Sequence, residues 1–155
     1  MEDCDPRHET WPLFLKTYTL LMDRLETELR EARGIPLTWM DVLIQLSKTS
    51  DGRMPMNQLA QSVLLSKSGL TRLIDKMAEK GLVTRSACPT DRRVVYASIT
   101  TKGRTAFDKA GKIHFAGVAE HFTSQLSAAE TAAFKTALRK ISDALTAPSE
   151  ERAVS

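Results

Sequence analysis

Apolar residues recur at helical spacing along most of this chain, in blocks divided by short polar breaks. Trp11, Leu15, Tyr18, Met22, Leu25 and Leu29 stand four and three apart, a stripe that predicts one long helix. Thr10 is its expected N-cap, Pro12 is tolerated in its first turn, and Gly34 stops it. "LTWMDVLIQL" opens a second helix, with Thr38 as N-cap, Asp41 in the capping-box position and Leu37 stapled on Val42. That helix runs to about Lys48, and "TSDGRMP" reads as a loop.

The stretch "NQLAQSVLLSKSGLTRLIDKMAEKGLV" carries the most information. A short helix covers Leu59 to about Val63, a turn passes through Leu64 and Leu65, and another helix starts at Ser66. There Leu70, Leu73, Ile74 and Met77 follow the i, i+3, i+4, i+7 pattern and must face inward. Lys67, Ser68, Thr71, Arg72 and Lys76 fall mainly on the opposite face. Gly81, after Lys80, is a C-cap signal. The runs Val83 to Cys88 and Val94 to Ile99 then read as two strands of a hairpin whose tip is "PTDRR". A long helix follows Thr100 to about Ser124. Ser127 and Glu130 box a last helix that ends before Pro148, and "SEERAVS" reads as a frayed tail. The predicted class is mainly α with a small β-hairpin, in the order α-α-α-α-β-β-α-α.

Two short helices joined by a tight turn are a helix-turn-helix, whose second member can enter the DNA major groove by its N-terminal residues. Ser66, Lys67, Ser68, Thr71 and Arg72 occupy that end. The arginine suits a bidentate contact to guanine, and the serines suit phosphate. Taken alone, such a pair is equally an αα-hairpin with a solvated charged face. A β-hairpin directly after it is a wing, and narrow minor grooves attract inserted arginine. Arg93 is the candidate for the wing tip and Arg92 for a phosphate. Asp91 repels phosphate, so its expected role is to brace an arginine through a charge-assisted pair.

Composition narrows this picture. The chain has 155 residues, 42% hydrophobic and 26% charged, the profile of one ordinary domain with helical extensions. Its formal net charge of +3 points to no partner by itself; the placement of the cations does. No apolar run approaches the roughly 20 residues of a membrane span, and the acidic, polar "MEDCDPRHET" lacks signal-peptide character. The expected location is the cytoplasm. Two distant cysteines, Cys4 and Cys88, form neither a disulfide framework nor a zinc motif. There is no nucleophile elbow, phosphate-cradling glycine loop or HExxH, so no enzyme and no cofactor are expected.

From roughly Trp11 to Leu145 the chain resembles the MarR-type (multiple-antibiotic-resistance regulator) winged-helix repressors. The resemblance rests on "LAQSVLLSKSGLTRLIDKMAEKGLVTR…PTDRRVVYASITTKG", in which the family's "LA", its "S-x-S-x-x-T-R-x-[IL]-D-x-[LM]" helix, "KGLV-x-R", "D-x-R" wing and "[LI]-T-x-x-G" exit appear in order. It departs at Met54-Pro55-Met56-Asn57, where the family often has a Ser or Thr cap, and at Cys88. The likeness implies a homodimer on double-stranded DNA with a palindromic operator, and release by a small aromatic acid. It also implies domain limits: a leader 1–9, a dimerisation helix 10–35, a DNA-binding domain 36–100, dimerisation helices 101–147 and a tail 148–155. Trp11, Tyr18, Met22, Trp39, Met40 and Phe107 are candidates for the effector pocket, although each suits core or dimer interface first.

Two variant readings keep the fold and change the signal. His114 and His121 are one heptad apart with Glu120 beside them, a pair short of a third local metal ligand. Cys4 lies between Asp3 and Asp5, which raise a thiol pKa and blunt a redox role; Cys88 is the weaker redox candidate. A reading of another class is a winged helix used for protein–protein contact, which basic residues at both helix and wing disfavour.

Overall fold

The computed structural model describes residues 6–146. Cys4, Pro148 and the tail lie outside the described residues. Helix α1 spans Thr10–Arg33 and α2 spans Leu37–Ser47; β1 is Arg53–Pro55, α3 is Met56–Ser62 and α4 is Lys67–Glu79. Strands β2 (Val83–Ala87) and β3 (Val95–Ile99) follow, then α5 (Thr101–His121) and α6 (Ala128–Thr146). The chain forms two compact units, one through Gly117 and one from Val118 onward.

The helices are where the apolar periodicity puts them, but several ends are set differently. Pro6–Glu9 form a 3-10 turn that leads into α1, so Glu9 and not Thr10 stands at its N-cap, without a side-chain bond. Gly34 ends α1 as expected, in the left-handed region at φ 65°. At α2 the Thr38–Asp41 capping box does not form. Pro36 occupies the N-cap, and Glu26 of α1 accepts the Leu37 N–H at 2.5 Å while also pairing with Arg30. A carboxylate from a neighbouring helix thus meets the exposed amides and the positive end of the dipole. Helix α3 starts at Met56, three residues earlier than its pattern suggests, after Pro55. Helix α5 ends at His121, short of Ser124, and a 3-10 turn covers Thr123–Gln125.

The largest departure is β1. "RMP" lies inside the stretch expected to be a loop, yet Arg53, Met54 and Pro55 pair antiparallel with Ser98, Ala97 and Tyr96. The hairpin is therefore a three-stranded sheet in the order β1-β3-β2. Pro55 is tolerated because β1 is an edge strand and needs no second ladder. The core of this unit joins Leu43 and Leu46 of α2, Leu59 of α3, Leu70, Ile74 and Met77 of α4, and Val83, Ala97 and Ile99 of the sheet.

The joint between α4 and α5 is tight. Gly81, at φ 72°, lets the Leu82 N–H reach back to the Met77 carbonyl and close α4. The Thr100 hydroxyl lies 2.7 Å from the Gly81 carbonyl oxygen and accepts the Gly103 N–H, so Thr100 caps α5 while holding the end of α4. A Cβ on Gly103 would lie 2.1 Å from the Leu82 carbonyl oxygen, which explains the glycine of "ITTKG". In the second unit, Ser127 and Glu130 form the reciprocal capping box that the sequence predicts: Ser127 N–H to Glu130 Oε2 at 2.8 Å, and Glu130 N–H to Ser127 Oγ at 3.3 Å. Those bonds hold the Glu130 carboxyl below its ordinary range, the Ser127 hydroxyl foremost.

Candidate nucleic-acid interface

Helices α3 and α4 meet through a turn in which Leu64 takes a left-handed φ of 56°. That conformation is uncommon for a residue with a Cβ, and here it lets the Leu65 N–H return to the Ala60 carbonyl. The chain then extends into Ser66, whose Oγ accepts the Gly69 N–H at 3.1 Å and caps α4. Because Leu70, Ile74 and Met77 pin one face of α4 to the core, the opposite face must turn outward. Ser66, Lys67, Ser68, Arg72 and Lys76 are exposed there, and Thr71 is half-buried with its hydroxyl donated to the Lys67 carbonyl.

The wing tip is ordered by its own polar groups. Asp91 Oδ1 accepts the Arg93 backbone N–H at 3.0 Å and the Arg93 Nε at 3.2 Å, so the acid grips Arg93 and leaves Arg92 to solvent. Those bonds, the backbone amide first, hold the Asp91 carboxyl below its ordinary value. The Cys88 N–H donates to the Val94 carbonyl and closes the hairpin. Its sulfur lies 3.2 Å from the Thr90 hydroxyl, which with the amides of Thr90 and Asp91 lowers the thiol pKa. Of the two cysteines, Cys88 was the weaker redox candidate by sequence; its surroundings favour the thiolate.

One side-chain link joins two residues of the family pattern whose pairing the sequence does not give. Arg85 Nη1 of β2 donates to Asp75 Oδ1 of α4 at 2.6 Å, joining wing and helix across ten positions. Arg85 also lines a cleft of about 390 Å³ between α3, α4 and the wing, with Lys67, Thr71 and Arg93. Three cations from two elements thus converge on one concave surface lined by no acid. Arg72, Lys76, Ser68 and Arg92 lie outside that cleft.

The candidates for an effector pocket have different surroundings. Trp11 and Tyr18 stack on either side of Phe14 at 6.2 and 6.4 Å along exposed α1. Met40 is fully buried, Met22 is half-buried, and Trp39 and Phe107 pack on the α4 core. His114 lies against Asp41: burial pulls the imidazole pKa down and pushes the carboxyl up, and their mutual attraction opposes both shifts. Among the described residues, no three His, Cys, Asp or Glu side chains come together as metal ligands. Among the same residues, no helix is long and apolar enough to cross a membrane.

A helix-turn-helix followed by a basic hairpin defines a winged helix-turn-helix protein. The sequence profile of the MarR family matches residues 33–94, from the end of α1 to the wing tip. The transcriptional regulator MhqR of Bacillus subtilis is 44% identical over 52 residues, 34% of this chain and 36% of that protein. The chain spans about half or less of the length of the first three curated relatives it matches. The crystal structure of AbsC, a MarR family transcriptional regulator from Streptomyces coelicolor, is 31% identical, covers 91% of this chain and 95% of its own, and superposes with a TM-score of 0.87. Sco3205 from the same organism, solved in complex with DNA, shares the fold at 24% identity and a TM-score of 0.87, over 92% of this chain and 89% of its own. The chain belongs to the MarR family.

Proposed function

We propose that the protein is a DNA-binding transcriptional regulator that acts as a homodimer on a palindromic operator. The carrying observation is the cleft in which Lys67 and Thr71 of α4 meet Arg85 and the braced Arg93 of the wing. Lys67, Ser68, Thr71, Arg72 and Lys76, with Ser66 as cap, serve the major groove and its flanking phosphates. Arg93 serves the minor groove and Arg92 a phosphate. Residues 36–100 are the DNA-binding part, and 10–35 with 101–147 supply the dimer contacts. Repression is the proposed output, as in the family the chain belongs to.

The dimer is supported by apolar residues left in water: Trp11, Leu15 and Tyr18 on α1, and Leu138 and Ile141 on α6. A small aromatic acid is the proposed effector. By linkage it must bind the DNA-free geometry better, and DNA must weaken its binding by the same factor. Thermal stability and operator binding across a panel of phenolic acids test that part, and no response in either removes it. Selection of bound sequences from a random duplex pool tests the main reading. Enrichment of a palindrome, with affinity falling steeply as salt rises, supports it. A pool that stays random leaves a protein–protein module.

A further inference from the structure

We propose that Asp75 is a positioning residue which, through Arg85, sets the separation between recognition helix and wing and so the duplexes the two can grip together. This rests on the DNA-binding reading. An acid on the outward face of such a helix repels phosphate, and Asp75 is exposed one turn beyond Arg72 and next to Lys76. Its side chain is 51% exposed and that of Arg85 37%, and a pair so open contributes little to stability. Its effect is therefore sought in geometry. At their near ends α4 and β2 are held by backbone, through Gly81 and the Leu82 N–H to the Met77 carbonyl. Beyond that turn the backbone of β2 pairs, among the described residues, with β3 alone, as an edge of the sheet. Among the described residues the Asp75–Arg85 contact is the side-chain hydrogen bond that joins α4 to β2. It sits beside Lys67, Thr71 and Arg93, where a small rotation of the wing would change how far the minor-groove arginine lies from the major-groove residues.

The test compares full-length wild type, Asp75→Asn, Arg85→Lys and the exchanged pair Asp75→Arg with Arg85→Asp, on a selected duplex and its scrambled form at two salt concentrations. Removing an acid favours every duplex, so Asp75→Asn should bind scrambled DNA as well as wild type or better, with a steeper salt slope. Its ratio of specific to scrambled affinity should nevertheless fall about tenfold, the scale of one lost well-placed contact. Arg85→Lys keeps the charge and loses the fork, so its ratio should fall with no change in slope. The exchanged pair puts an acid in the cleft and should weaken every duplex, yet recover part of the ratio lost by Asp75→Asn. Specific and scrambled affinities rising together, or falling together with the melting temperature, overturn the proposal. If Asp75→Asn fails to fold, an unchanged ratio for Arg85→Lys overturns it equally. A wild type that binds no duplex overturns the DNA reading, whereas binding with all ratios unchanged overturns only the role of Asp75.

Discussion

Helices α4 and α1 carry apolar stripes of the same period, and the stripes end in different surroundings. On α4, Leu70, Ile74 and Met77 are covered by α2, α3 and the sheet. On α1 only the last turns are covered: Leu25 and Leu29 are buried, while Trp11 stands 63% and Tyr18 55% exposed. A period states that a face will be buried and is silent on what buries it. The face of α4 is filled from its own chain, so its outward side is free for charge. The first half of α1 has no such cover, and in the proposed dimer the cover is a second copy.

Substitutions on the two stripes test this contrast. Ile74→Ala removes a wholly buried side chain and should cost about 2–5 kcal/mol, the same at every protein concentration. Trp11→Ala with Tyr18→Ala should lower stability by an amount that grows with protein concentration, and shift sedimentation toward monomer. A concentration-independent loss in the α1 variant would erase the contrast. The next effect tests how firmly α4 is closed. Gly103→Ala pushes a methyl group into the Leu82 carbonyl and should cost about 1–3 kcal/mol in denaturant unfolding. The equivalent change at Gly111, where a Cβ meets only the flexible end of Met40 and the Phe115 ring at 3.4 Å or more, should cost far less.

At the outward face the expected losses are in binding. Arg93→Ala and Arg72→Ala should each cost about 1–3 kcal/mol per half-site, the first relaxing preference at flanking A·T steps and the second within the major-groove half-site. Arg92→Ala should weaken all duplexes alike. Selected and scrambled duplexes titrated in parallel separate the three.

The smallest effect is a response to pH, expected at the contact of α2 with α5 and absent from the α4 core, which holds no buried polar side chain among the described residues. Burial holds His114 below its ordinary 6.5, so the unfolded chain binds that proton more tightly and stability is lost as pH falls below 6.5 toward the lowered value. Asp41 is held above 3.8, so its contribution runs the other way: stability is present when it is protonated and is lost as pH rises through its raised value. His114→Phe removes the first limb. Between about pH 7 and pH 5, wild type should lose stability that the variant keeps, as denaturation midpoints across the range would show.

The chain's helices, the helix-turn-helix, the Gly81 stop and the Ser127–Glu130 box were all legible in the sequence, because each depends on residues a few positions apart, whereas Ser66, where the pattern starts the helix, is its cap. The two strands of the hairpin and their reading as a wing were legible in the same way. What remained hidden depends on distance along the chain. Strand β1 is three residues with a proline and has no period of its own; β3, over forty residues on, makes it a strand. Glu26 caps α2 from eleven residues away, and its local competitor Thr38 looks better by every short-range rule. Arg85 belongs to "KGLV-x-R", yet its partner is unnamed until folding brings Asp75 to it. Leu64 stands where a glycine would be the local choice, and tertiary closure of the turn overrides that preference. Which faces are apolar and where the chain turns follow from side-chain chemistry and backbone sterics at short range, and both can be read along the chain. Which carboxylate meets which cation or amide follows from packing between elements, which leaves no periodic trace.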